Sequence, residues 1–155
     1  MNADIRESIV RCLDRILAIY LFLTSADRTF IEGTPTSERL LPLLDQREVS
    51  FAELGELQND LVEALREAFS QKKMNSLPEA LLLLEREIPD MQGTLRDIRL
   101  SLKSLVGADR DVQNILEKSK GAIETEIKKL RLGANLLKGY LQPDETGSCF
   151  IDKVK

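Results

Sequence analysis

The sequence predicts an all-α protein, an elongated antiparallel helical hairpin or bundle with long helices. Three observations carry this. Apolar residues recur every three or four positions through nearly the whole chain. No segment sustains the strict alternation of a half-buried strand, and no Asn-Gly or Asp-Gly pair offers a hairpin turn. The breaks between periodic stretches are short, which favours antiparallel neighbours. At 155 residues the chain fits one domain with a real core. The expected organisation is one helical domain over 1–142 and a tail over 143–155, either loose or docked on the bundle.

The first helix is expected over about 4–26. Ile5, Ile9, Cys12 with Leu13, Ile16 and Tyr20 form a single stripe at helical spacing. "EGTPT" at 32–36 then breaks the pattern, with Thr34 a candidate N-cap and Pro35 in the first-turn position that proline tolerates. From there Leu40, Leu44, Phe51, Leu54, Leu57, Leu61 and Leu65 stay in phase to about Gln71. A complete helix-start signal sits inside this run: Val49, Ser50, Glu53 and Leu54 make a capping box with its staple. The apolar phase crosses it, so one helix that can bend is expected.

"SLPE" at 76–79 is a second capping box, opening a short leucine-rich helix that Pro89 ends. From Asp90 the stripe Met91, Leu95, Ile98, Leu102, Leu105 continues past Gly107, with polar Asp109 on the seam. It then runs through Val112, Leu116, Ser119, Ile123, Ile127, Leu130, Ala134 and Leu137. The mean step stays near 3.6, so a single helix from Asp90 to Leu141 would be roughly 75 Å long.

Composition removes whole classes of function. The chain has no histidine, which excludes Ser-His-Asp triads, histidine acid–base chemistry and histidine metal ligands. Its 26 acidic residues are spread along polar helix faces and read as solvation. Net charge is −4 with the two signs interleaved, so no basic stripe suits nucleic acid and no polybasic cluster suits anionic lipid. Cys12 and Cys149 form neither a framework nor a CxxC pair, and a reduced, cytoplasmic setting is the simple expectation. "ILAIYLFL" at 16–23 is too short to span a bilayer and lacks the basic flank of a secretory signal. No metal, no cofactor and no membrane insertion are expected.

The candidate site lies late in the chain. At 100° per residue, Ile123, Ile127, Leu130, Ala134, Leu137 and Leu141 fall within an arc of about 80°, the core face. Leu132, Leu136 and Tyr140 form a second stripe roughly 120° away. Gly133, Ala134 and Gly139 lie nearby, small enough to admit another backbone. A simple hairpin does not require this second stripe. It can pack against another helix of the same chain, or it can take an amphipathic partner helix. "LPEALLLLE" at 77–85 has the same ambiguity, because four consecutive leucines cannot face one neighbour. In the tail, Phe150 and Ile151 follow Pro143 and a polar turn. They are candidates to dock on the protein's own apolar surface or on a partner.

Three features together resemble the FlgN family of flagellar export chaperones. They are the early "RLLPLLDQREVSFAEL", the late "DRDVQNILEKSKGAIETEIKKLRLGANLLKGY", and the terminal "FIDK" after a turn. Pro42 and the "GTPT" break depart from the family pattern. The resemblance implies a small cytoplasmic helical chaperone without catalytic residues or cofactor. It would bind the C-terminal helices of hook–filament junction proteins, prevent their early assembly and hand them to the flagellar export machinery. It places partner binding at about 109–140, so Leu132, Gly133, Leu136, Leu137 and Tyr140, joined by Phe150 and Ile151, are the expected contacts. Two other readings stay open. One is a homodimeric coiled-coil scaffold with the second stripe as its seam. The other is a related chaperone for the filament-cap protein. A di-metal carboxylate bundle is remote, since its Glu-x-x-His pairs cannot exist here.

Overall fold

A computed structural model describes residues 1–70, 74–119 and 124–141. Helix α1 spans Ala3–Glu32, α2 Ser37–Phe69, α3 Leu77–Glu87, α4 Gln92–Lys118 and α5 Glu124–Leu141, with a single 3₁₀ turn at Pro89–Met91. There is no strand among the described residues. Nor is any helix among them long and apolar enough to cross a membrane. The all-α reading holds.

Local signals account for most boundaries. Asn2 caps α1 by accepting from the Asp4 amide. The helix then runs six residues further than expected, to Glu32, because Asp27 and Phe30 keep the buried phase. The N-cap of α2 is Thr36, not Thr34, and its hydroxyl accepts from the Arg39 amide. Pro42 lies early in α2 and is accommodated there, although it cannot donate to the Glu38 carbonyl. The capping box at Ser50 is overridden: α2 continues through it, Ser50 is buried and Val49 is 70% exposed, so no staple forms. Packing wins over the local signal. At Ser76 the signal is used, with the Ser76 hydroxyl accepting from the Glu79 amide and the Glu79 carboxylate accepting from the Asn75 amide.

The largest correction is to the second half. The expected continuous helix to Leu141 ends instead at Ser119, whose amide donates to the Leu116 carbonyl. Helix α5 folds back along α4, so that Arg131 pairs with Glu117, while Ala134 and Leu137 lie beside Val106 and Asp109. An apolar stripe that keeps phase is equally satisfied by one long helix or by two antiparallel ones. Only the folded-back form buries the stripe within a single chain. Ile123 lies outside the described residues.

Helices α1 and α4 run parallel: Arg6 reaches Asp90 at one end, and Asp27 and Asp109 share a partner further along. α2 returns antiparallel to α1, tied by the Arg15–Glu53 pair. α3 and α5 both pack on α2 and α4 and touch each other, so they share the fourth corner of a bundle.

The interior has two apolar clusters. The larger joins Ile9, Leu13, Ile16, Leu54, Leu61, Leu84, Leu95, Ile98, Leu105 and Leu137, among others, from all five helices. The smaller joins Phe30, Leu40, Leu43, Leu44, Val112, Leu116, Ile127 and Leu130. Between them lies a layer that is not apolar.

Candidate functional site

That layer is built from three charged side chains at positions where the helical phase calls for apolar ones. Arg47 of α2 follows Leu40, Leu43 and Leu44 and precedes Ser50 and Leu54 on the buried face. Asp27 follows Leu23 on α1, and Asp109 lies between Leu105 and Val112 on α4. Arg47 Nη1 lies 3.4 Å from Asp27 Oδ1, and its Nη2 makes the ion pair with Asp109 Oδ1 at 2.5 Å. Gln113 Nε2 donates to the other Asp109 oxygen at 2.9 Å. All three charged side chains are no more than 3% exposed.

One guanidinium cannot neutralise two carboxylates. Burial disfavours both anions, and the Arg47 charge only partly compensates. Burial therefore pushes Asp27 up to about 7, with Arg47 opposing and Asp109 adding to the rise. Burial raises Asp109 as well, opposed by Arg47, by the Gln113 hydrogen bond and by the more distant Lys138 of α5. Near neutral pH the Asp27 carboxyl is therefore close to its titration point.

Arg47 also forms part of an open groove along the seam of α2 and α5. Leu44 and Phe51 line its α2 side, and Leu132 and Leu136 its α5 side. The groove encloses about 380 Å³, within the range of ligand sites though small for one. Its rim is charged, with Asp45 and Glu48 on α2 and Lys129 on α5. Gly133 sets the closeness of the two helices. A Cβ there would sit 2.7 Å from an Arg47 guanidinium nitrogen and 3.0 Å from the Phe51 ring. The Arg47 guanidinium in turn stacks over that ring, 5.3 Å from its centre.

The structure divides the residues expected from the sequence. Leu132 and Leu136 are half-buried and line the groove. Gly133 does admit a close neighbour, but that neighbour is α2 of the same chain. Leu137 is fully buried in the larger cluster, and Tyr140 is buried there too at 8% exposure. The second stripe is therefore shorter than expected, because the fold-back of α5 buries its C-terminal end in the larger cluster. There Tyr140 lies near Tyr20; burial raises the Tyr140 phenol to about 12, and Tyr140 in turn adds to the rise at Tyr20. Phe150 and Ile151 lie outside the described residues.

Of the four consecutive leucines in α3, Leu81, Leu83 and Leu84 are buried and Leu82 is exposed. Core packing explains that run. Leu44, Phe51 and Arg47 were not expected at a site. The available signal was Arg47 in phase with leucines, as Asp109 visibly was with its own stripe.

The described residues include no group of three or more acidic or cysteine side chains placed to hold a metal ion. Cys12 is buried, its thiol pushed up chiefly by that burial. What the seam offers is apolar area with a charged border. Comparison with protein families, characterised proteins and solved structures finds no match to this chain.

Proposed function

We propose that the protein is an export chaperone of the FlgN kind. It binds the amphipathic C-terminal helices of hook–filament junction proteins, keeps them from assembling early and delivers them to the flagellar export machinery in the cytoplasm. The observation that supports this reading is the groove between α2 and α5. Two leucines on one helix face a leucine and a phenylalanine on the other, and α2 and α5 leave the space between them unfilled. An amphipathic helix presents matching side chains at i, i+3 or i+4, and i+7. A client helix held there is withdrawn from polymerisation by mass action alone, with no reaction step needed.

The test is a titration of the C-terminal helix peptide of a hook–filament junction protein with the full-length chain. Leu132→Gln and Leu136→Gln should each weaken binding at least fivefold while circular dichroism stays helical. Equal binding by both variants overturns the assignment of the groove. Sedimentation of the free protein gives a second decision. A stable dimer that ignores the peptide would favour the scaffold reading instead.

A further inference from the structure

The two borders of the groove carry opposite charge. Asp45 and Glu48 stand along the α2 side, and Lys129 along the α5 side, all three exposed. Opposite charges facing one another across a narrow seam would ordinarily pair. Here none of the three makes an ion pair within 4.0 Å among the described residues, although six other surface pairs do. The groove holds the two borders apart, and each keeps its charge available to whatever enters.

We infer that the occupant is an amphipathic helix with two unlike flanks: basic residues along the side that meets Asp45 and Glu48, acidic residues along the side that meets Lys129. This rests on the chaperone reading of the groove and specifies the partner that groove selects. The lining from Leu44 to Phe51 spans about two helical turns, or roughly 10 Å. A partner therefore presents an apolar stripe of about three residues there, with its charged flanks one position to either side, as flanking charges do beside a coiled-coil seam. Reversing the direction of a helix in the groove exchanges its flanks. A helix with unlike flanks is accepted in one direction and opposed in the other, so charge selects orientation as well as identity. A uniformly acidic or uniformly basic partner gains on one border what it loses on the other.

Three synthetic helical peptides with one leucine stripe test this against the full-length protein. One carries lysine on one flank and glutamate on the other, one carries lysine on both, and one glutamate on both. Fluorescence anisotropy should show the mixed peptide binding about three- to tenfold more tightly than either uniform one, as a few exposed pairs would give. That advantage should shrink as salt is raised. The double variant Asp45→Lys, Glu48→Lys should move the preference to the glutamate peptide. Lys129→Glu should move it to the lysine peptide. If the three peptides bind alike and Leu132→Gln weakens them all, the charge inference is wrong while the groove stands. If Leu132→Gln leaves the binding of every peptide unchanged, or none binds, the groove reading falls and this inference with it.

Discussion

The two apolar clusters share residue types and both draw on α1, α2, α4 and α5, yet they are enclosed differently. The larger is walled by α1, α2 and α4 and closed at the fourth corner by α3 together with the end of α5. The smaller has only α5 at that corner, and the α2–α5 seam beside it stays open as the groove. Between the two, Arg47, Asp27 and Asp109 replace what would be another apolar layer. The difference teaches that enclosure changes along the bundle. The groove opens at the charged layer, where Arg47 joins its lining between Leu44 of the smaller cluster and Phe51, which packs on the larger.

The sharpest way to break that comparison is to remove the cation between the clusters. Arg47→Met leaves two buried carboxylates without a counter-charge and should cost about 3–5 kcal/mol at pH 7. The loss should shrink when urea denaturation is repeated near pH 4, where the Asp27 carboxyl is protonated and the raised Asp109 carboxyl protonates more readily. A constant loss at both pH values would mean that Arg47 contributes by packing alone.

Truncation within the two clusters should come next in size. Leu105→Ala, in the sealed cluster, should cost about 2–5 kcal/mol, toward the upper part of that range. Leu130→Ala lies beside the open seam, where neighbours can relax into the gap, and should fall toward the lower part. Thermal or urea unfolding of the pair compares them directly. Equal costs would show that the open seam does not soften its cluster.

The charged layer also has a pH signature. The folded state binds the Asp27 proton more tightly than the unfolded chain does, since its carboxyl is raised from 3.8 to about 7. The stability contributed by the protonated form is complete below pH 4 and is lost as pH rises to about 7. Asp27→Asn imitates the protonated form. It should match the wild type near pH 4 and become more stable by about 2–4 kcal/mol near pH 8, measured as the pH dependence of urea unfolding. Parallel pH profiles for the two proteins would remove Asp27 from this role. The half-buried Glu53 and Glu85 are shifted the opposite way by Arg15 and Arg99, so their contributions run against this slope.

The smallest expected stability effect belongs to the groove. Leu132→Gln and Leu136→Gln should each cost about 1 kcal/mol or less, because both side chains are only half-buried. A loss as large as that of Leu105→Ala would make them core residues and leave the seam without a binding face.

Much of this arrangement was legible residue by residue. Three- and four-residue spacing located the helical stretches but ran α4 and α5 together as one, and the cap at Ser76 with the break at Pro89 marked the short helix. Charged residues in apolar phase at Arg47 and Asp109 were visible too, but their pairing was not. They lie 62 positions apart in the chain, and Asp27 fell beyond the expected end of its helix. Tyr140 was misplaced for a related reason. Its angle on an isolated helix is computable, but whether that angle faces solvent depends on where the helix lies.

By itself, then, the sequence determined the helical class, the positions of the buried stripes, and the absence of histidine chemistry. Each of these follows from local periodicity or composition. The tertiary structure decided that the last stripe folds back on α4, that Ser50 does not start a helix, and that one arginine serves two aspartates. It also decided that Leu132 and Leu136 meet Leu44 and Phe51 across an open seam. Periodicity states which face of a helix is to be buried. It cannot state which other face does the burying, because that is settled by contacts between residues far apart in the chain.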